Sequence, residues 1–185
     1  KEGASLVLTG RRREPLEEVA ARIRDLGTTA HIQLGDLMQP AEVRRIGAFI
    51  ASEIGRLDIL LNNAGMNIAD RHWDKLTPEN ASLMINGNLA AAGQCVTVAL
   101  PIMRAQQDGV IVHTASIAGR FFARFPGPLY TAAKHGLVAM SHTINMQECK
   151  NGIRSCVFLP GEVATAILDK RPNPVSAEEK ARMVQ

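Results

Sequence analysis

Aromatic side chains, cysteines and long apolar runs are all scarce in this sequence of 185 residues. Only 4% of the residues are aromatic, which argues against a surface that stacks nucleic-acid bases. The three cysteines show no C-x-x-C spacing and therefore indicate reduced thiols rather than a zinc site. No apolar run approaches the roughly 20 residues that span a bilayer, and no signal peptide opens the sequence. We expect a cytoplasmic protein that binds neither nucleic acid nor membrane.

Metal-binding patterns are also absent from the sequence. The five histidines show no ligand spacing, and no pair of carboxylates stands out, so we expect no metal site. His113 falls in an apolar run, where we expect it to be packed or bonded to the backbone. The remaining composition is that of an ordinary globular protein, and we expect residues 1–185 to form one domain with a sizeable core.

Short apolar runs alternate with amphipathic ones along the chain. Five runs indicate strands that end in polar or Gly-rich turns: 5–10, 31–36, 58–65, 110–116 and 155–161. Most lack polar alternation, which is typical of strands buried on both faces. Helical patterns separate them, and one begins at Thr77 and Pro78, a capping residue followed by proline. This alternation predicts an α/β fold, a Rossmann-type doubly wound parallel sheet with helices on both faces.

Ligands bind such a sheet at the carboxyl ends of its strands, so the residues at those ends are candidates for a site. They are Gly10, Arg11, Asp36, Asn63, Ala64, Gly65, Ser116, Pro160 and Gly161.

Tyr130 and Lys134 lie four residues apart at the start of a predicted helix and can share one helical face. A nearby ammonium favours the phenolate, and a phenol with a lowered pKa can exchange a proton with an alcohol or carbonyl oxygen. Ser116 can bond the same oxygen. A hydride would have to come from a cofactor. Alone, such a Tyr–Lys pair is usually an ordinary surface pair.

Five elements in order carry a resemblance to a known family. They are "LTGRR", "GDL", "NNAG", Ser116 with Tyr130 and Lys134, and "PGEVAT". Over nearly its whole length the chain resembles the short-chain dehydrogenase/reductase family, in its standard Y-x-x-x-K branch. The resemblance implies an NAD(P)(H)-dependent oxidoreductase that interconverts a small-molecule alcohol and a carbonyl. A non-catalytic cofactor-binding or regulatory protein, or an epimerase or dehydratase, on the same scaffold remains the alternative.

The resemblance also implies catalytic roles. Tyr130 is the general acid/base, Lys134 lowers its pKa and binds the nicotinamide ribose, and Ser116 positions the substrate oxygen. Asn88 matches the asparagine that holds a water in a proton relay. Asn86 competes with it, and we prefer Asn88 because Leu89 follows it.

A set of cofactor-binding residues follows from the same resemblance. It comprises Arg11, Arg12, Asp36, Leu37, Asn63, Ala64, Gly65, Tyr130, Lys134, Pro160, Gly161, Val163 and Thr165. Gly10 stands where a carboxylate would bind the ribose of NAD, and arginines follow it. Since guanidinium groups suit a 2′-phosphate, we expect NADP(H), with NAD(H) as the alternative. The arginines can also be a solvated start to the next helix.

The sequence contains no G-x-G-x-x-G, and the family's TGxxxGxG turn, which follows its first strand, has no counterpart in it. We expect that this strand, its turn, its helix and the family's last strand lie outside these residues, which come from a longer protein. The family's first strand would lie in the middle of the sheet, between its second and fourth strands. We therefore expect that residues 1–185 alone do not bind cofactor. Small apolar residues on the helices after Thr77 and Tyr130 suggest a homodimer or homotetramer, or else a face turned toward the core.

Overall fold

Parallel strands and helices alternate throughout the computed structural model, which describes residues 3–161 and Val163. Each strand run expected from the sequence overlaps an observed strand, so the predicted α/β fold is confirmed. The strands are β1 (Leu6–Gly10), β2 (Ala30–Leu34), β3 (Ile59–Asn62), β4 (Gly109–Thr114) and β5 (Ile153–Phe158). The α-helices are α1 (Arg13–Asp25), α2 (Pro40–Phe49), α3 (Pro78–Ile85), α4 (Ala91–Gln106) and α5 (Pro128–Glu148).

The strands form two sheets in the described residues. Strands β1 and β2 pair in parallel, and β3, β4 and β5 form a second parallel sheet in that order. Strands β1 and β3 are not paired with each other. The division therefore falls between the two strands that the sequence analysis expects to flank a further strand.

The strands are less buried than their apolar sequences predict. Strand β4 buries alternate residues, but β3 leaves Ile59 62% and Leu61 59% exposed. Alternate side chains of a strand point to the same face, so these two lie on one face of β3. The expectation of strands buried on both faces is wrong here, because no described element covers that face.

The main core lies where helices α4 and α5 pack on the second sheet. Its fully or almost fully buried members are Val96, Met103, Ile111, Ile144 and Ile153. By length and composition alone, the helical stretch Pro78–Gln106 is apolar enough to cross a membrane. In the structure, however, Met84, Val96 and Met103 of this stretch are buried against the rest of the protein.

Small residues on these helices serve the core. Ala91, Ala92 and Ala133 are 4%, 8% and 0% exposed, so the interpretation as a core-facing surface holds for these three. Helix α2 packs across α4 at Gly47, where an added Cβ would lie 2.7 Å from the Cβ of Val98.

Two helical stretches, which begin at Pro40 and at Pro78, each contain a wider turn. Residues Ile50–Ile54 and Asn86–Ala90 are π-helical, the first directly after α2 and the second between α3 and α4. The predicted start of the second helix is confirmed, since the Thr77 hydroxyl accepts a hydrogen bond from the Asn80 amide at 3.2 Å. The sequence also predicts a loop over 170–176 and a short polar helix after it. Both, like Thr165, lie outside the described residues.

We predict that Gly152→Ala destabilises the protein more than Gly55→Ala does. Both glycines have φ near +75° (72° and 75°), so either change costs about 1–2 kcal/mol from backbone strain. At Gly152 the new Cβ would also overlap the carbonyl oxygen of Gln107, whereas the space around Gly55 is open. Urea unfolding of both variants measures the difference, and equal free energies of unfolding would contradict the packing argument.

Candidate active site

Ser116 follows strand β4 and begins a short 3₁₀ turn, Ile117–Gly119. Its hydroxyl oxygen accepts a hydrogen bond from the Ala118 amide at 3.2 Å. The amide of Ile117, directly after Ser116, donates to the carbonyl oxygen of Pro160 at 3.0 Å. The chain after β5 is thereby held beside the end of β4, so Ser116 and Pro160 are neighbours, as strand-end positions in a parallel sheet should be.

Tyr130 lies in the first turn of α5 and is half-buried. Burial raises the pKa of its phenol above the ordinary value. The hydrogen-bonding interaction with Ser116 and the positive charge of Arg71 both act in the opposite direction. The structure thus brings together the phenol and the hydroxyl that the sequence analysis pairs.

Lys134, one helical turn further along, is buried with 4% of its surface exposed. Its ammonium donates to the carbonyl oxygen of Thr114 at 2.8 Å and lies 5.4 Å from the centre of the Tyr130 ring. Burial lowers the pKa of Lys134 to about 8. Lys134 and Tyr130 lie close together as predicted. The pKa of Tyr130, however, is not lowered as the sequence analysis expects. The pKa of Tyr130 is raised, because burial outweighs the hydrogen-bonding interaction with Ser116 and the charge of Arg71.

Asn88 sits in the π turn between α3 and α4 and is 1% exposed. Its Oδ1 accepts from the Met66 amide at 2.9 Å, and its Nδ2 donates to the Met84 carbonyl oxygen at 2.9 Å. Asn86, the competing residue, is exposed. Of the two asparagines, Asn88 therefore has the position inside the protein that a site residue requires.

Gly65 brings the turn after β3 against both of these polar side chains. A Cβ at this position would lie 3.0 Å from Asn88 Oδ1 and 3.4 Å from Lys134 Nζ. The turn, the π helix and α5 therefore meet at one point. Asn63, Ala64 and Gly65 themselves remain exposed.

His113 was not recognised as part of this cluster from the sequence. It is fully buried, and its Nδ1 lies 3.3 Å from Nδ2 of Asn62, its register partner on β3. It is thus packed as expected, but bonded to a side chain. Burial, and then the charge of Lys134, lower its pKa to about 4, so the ring is neutral near pH 7. Pairing the "NNAG" and "VIVHTAS" strands in register would have found this contact.

Arg71 was also missed. It lies in the irregular segment after β3, is 4% exposed, and has its guanidinium carbon 5.2 Å from the centre of the Phe125 ring. No periodicity or motif marks it, so local sequence carried no signal for its position.

The predicted cofactor residues line the carboxyl ends of the strands. Arg11 and Arg12 are exposed after β1, and Arg12 precedes the first residue of α1. Asp36 accepts a hydrogen bond from the Met38 amide at 3.0 Å, and Leu37 is half-buried. Pro160 is half-buried beside the Ser116 turn, Gly161 and Val163 are exposed, and Thr165 lies outside the described residues.

Within residues 3–161 and Val163, no three His, Cys, Asp or Glu side chains are grouped as metal ligands.

Known proteins resemble the chain in sequence and in structure. A sequence model described as short chain dehydrogenase matches residues 1–175. An uncharacterized oxidoreductase of Staphylococcus saprophyticus is 31% identical over 170 residues, covering 90% of this chain and 67% of that protein. The D-beta-hydroxybutyrate dehydrogenase of Rhizobium meliloti is 30% identical over 176 residues, covering 92% and 66%. The chain thus spans about two thirds of the length of these relatives.

A solved structure also resembles the chain. A metagenomic short-chain oxidoreductase in complex with NADP superposes with a TM-score of 0.82 at 29% identity. The match covers 90% of this chain and 75% of that one.

We predict that Asn88→Ala lowers the free energy of unfolding by about 1–3 kcal/mol, because the Met66 amide and the Met84 carbonyl lose a buried partner. Asn86→Ala is the matched control in the same π turn, and its effect should stay within about 0.5 kcal/mol because the side chain is exposed. Chemical denaturation compares them. A cost for Asn86→Ala as large as that for Asn88→Ala would contradict this assignment.

Proposed function

The chain belongs to the short-chain dehydrogenase family, and we propose that the whole protein is an NAD(P)(H)-dependent oxidoreductase that interconverts a small-molecule alcohol and a carbonyl. The main support is the arrangement of Tyr130 against Ser116 with buried Lys134 one turn away. A phenol, a hydroxyl and an ammonium at the carboxyl ends of parallel strands can bind and protonate a single substrate oxygen.

Tyr130 acts as the general acid in the reducing direction. When the carbonyl carbon gains a hydride, its oxygen takes the proton of the Tyr130 hydroxyl and the product is an alcohol. In the oxidising direction the phenolate takes the hydroxyl proton back. The Ser116 hydroxyl donates a hydrogen bond to the same oxygen and fixes its position.

Lys134 and Asn88 restore the proton on Tyr130. The ammonium of Lys134 lies 5.4 Å from the centre of the phenol ring, and both Asn88 Oδ1 and Lys134 Nζ lie against Gly65. A buried ammonium whose pKa falls to about 8 gives up a proton more readily than an ordinary lysine. These two residues form the inner end of a proton path.

The exposed rim of the strand ends fits a nicotinamide dinucleotide. Arg11 and Arg12 offer guanidinium groups, Asp36 offers a carboxylate, and the Asn63–Gly65 turn offers open backbone close to Lys134. Leu37, Pro160, Gly161, Val163 and Thr165 complete the set that would hold the cofactor. When bound, the nicotinamide supplies or accepts the hydride, because no side chain can carry one.

We assign NADP(H) as the preferred cofactor and NAD(H) as the alternative. Both arginines are exposed at the end of β1, while Arg13 is paired with Glu17 at 3.4 Å inside α1. Two guanidinium groups beside Gly10 suit a phosphate better than a neutral hydroxyl. A structural relative at 29% identity was solved with NADP.

The same proposal includes a cytoplasmic homodimer or homotetramer. All three cysteines are free thiols, as in a reducing compartment. Helix α5 leaves Ala132 and Met146 exposed, and Met146 is 80% exposed. Contact between subunits would cover such apolar side chains, and this is the basis for proposing an oligomer.

We predict that Tyr130→Phe lowers turnover by about 10²–10⁴-fold, because the phenyl ring has no proton to exchange. Cofactor affinity should change little. The assay follows the absorbance of reduced nicotinamide across a panel of alcohols and carbonyls, with cofactor binding measured by calorimetry. His142→Gln, an exposed change on the same helix, is the control. Full activity of Tyr130→Phe, or no turnover of any substrate by the unchanged protein, would reject the proposed function.

We predict that Arg11→Gln lowers kcat/KM for NADPH by about 10–100-fold, because a charge-assisted hydrogen bond contributes about 1.5–3 kcal/mol. The value for NADH should hardly change. Arg13→Gln is the matched control, since its guanidinium is held by Glu17. Equal losses with both cofactors would mean that Arg11 does not recognise the 2′-phosphate.

A further inference from the structure

We propose that the neutral imidazole of His113 is a positioning group that holds the ends of strands β3 and β4 together beside Lys134, and that acid releases this hold by protonating the ring. The inference rests on the proposed function, which makes Lys134 part of the proton path. It assigns a role to a fully buried titratable side chain that the proton path itself does not use.

The first support is the hydrogen bonding of Asn62, the last residue of β3. Its Nδ2 lies 3.3 Å from the carbonyl oxygen of Ala92 on α4 and 3.3 Å from Nδ1 of His113. An amide nitrogen has two hydrogens and cannot accept, so each of these contacts takes one hydrogen. Nδ1 of His113 therefore accepts, and the proton of the neutral ring lies on Nε2.

The second support is that a further proton on this ring has no place to bond. His113 is 0% exposed, and among the described residues its Nε2 has no hydrogen-bond partner. A protonated ring would also carry a hydrogen on Nδ1, facing the amide hydrogens of Asn62. Neither ring N–H would then have an acceptor, although a buried charge requires hydrogen bonds or an opposite charge. The pKa of His113, which burial and then the charge of Lys134 lower to about 4, agrees with this pattern.

The third support is that both strand ends lead directly to Lys134. His113 precedes Thr114, whose carbonyl oxygen accepts a hydrogen bond from the Lys134 ammonium at 2.8 Å. Asn62 precedes the turn that ends at Gly65, where a Cβ would lie 3.4 Å from Lys134 Nζ. The contact between Asn62 and His113 thus joins the two segments that lie against the ammonium.

The elements packed around His113 supply one charge that acts on the ring. It is the ammonium of Lys134 on α5, which opposes protonation of the imidazole. The register partners on the neighbouring strands, Asn62 and Val157, carry no charge. The thiol of Cys95 on α4 is neutral near pH 7, because burial raises its pKa to about 11. Within residues 3–161 and Val163, no carboxylate raises the pKa of the ring.

The first test follows the imidazole resonances of the whole protein by NMR while the pH is lowered. His113→Asn, which places an uncharged acceptor at this position, identifies the His113 signal by its absence. We expect the signal of a neutral ring down to about pH 5 and a transition only near pH 4. A transition near the ordinary value of 6.5 in the folded protein would overturn the inference. This readout needs no turnover.

Asn62→Asp tests the hydrogen-bond pattern itself. A carboxylate at this position accepts from Nδ1 and pairs with the imidazolium, so the transition of His113 should move up by at least about one pH unit. Asn63→Asp, the next residue and part of the exposed turn, is the matched control and should move it much less. Equal shifts in the two variants would show that Asn62 is not the partner of the ring.

The pH dependence of stability gives the sign of the effect. The ring accepts a proton near pH 4 when folded and near pH 6.5 when unfolded, so its stabilisation is complete above pH 6.5 and is lost as the pH falls toward 4. Over this range the folding equilibrium constant of the unchanged protein should fall by about tenfold per pH unit more than that of His113→Asn. Should His113→Asn fail to fold, His113→Gln serves as a second uncharged variant.

The link to Lys134 is tested by the pH profile of kcat/KM. The acid limb should move to lower pH in His113→Asn, whereas His142→Gln, an exposed change on α5, should leave it in place. An acid limb that His113→Asn does not move would show that His113 stabilises the fold without positioning Lys134, and would overturn the inference. If the NMR and stability results hold but no substrate is turned over, the proposed function fails while the acid-sensitive contact stands.

Discussion

The hydrogen bond from the Lys134 ammonium to the Thr114 carbonyl oxygen ties helix α5 to the end of strand β4. It satisfies a cation that would otherwise be costly to bury. It also fixes Tyr130, one turn earlier on the same helix, relative to Ser116, two residues beyond Thr114. Burial, and then the positive charge of Lys134, lower the pKa of His113 to about 4 and keep its imidazole neutral near pH 7. The geometry of the site therefore depends on Lys134, whose direct hydrogen bond is to the Thr114 carbonyl oxygen and whose ammonium also lies near the Tyr130 ring.

Burial and charge compete at Tyr130, and burial wins in this structure. A phenol withdrawn from water ionises less readily, while a nearby cation or a hydrogen-bond donor makes it ionise more readily. Lys134 is itself subject to the first effect, because burial lowers its pKa to about 8. A buried lysine is thus a weaker source of positive charge than its sequence position implies.

Local sequence predicted the parts of the site that follow from local rules. Strand ends were readable from apolar runs, and Thr77 with Pro78 marked a helix start that the structure confirms. Asn88 was identified, but the π turn that holds it depends on bonds to Met66 and Met84 that no helical periodicity encodes. The position of Arg71 could not be predicted for a similar reason. It is set by a close approach to Gly127, which lies more than fifty residues further along the chain. The raised pKa of Tyr130 depends on the packing around the ring, which spacing does not report.

The division of the strands into two sheets separates two tasks. The side chains proposed to be catalytic lie on the β3–β4–β5 sheet and its helices, whereas Arg11 and Asp36 lie at the ends of β1 and β2. No strand pairing joins these parts in the described residues, but side-chain packing between helices does. Helix α2 follows β2 and crosses α4 at Gly47, where the Val98 side chain leaves no room for a Cβ. A tight helix crossing has few alternative arrangements, so it links helix α2, which follows the strand that ends near Asp36, firmly to helix α4 of the second sheet.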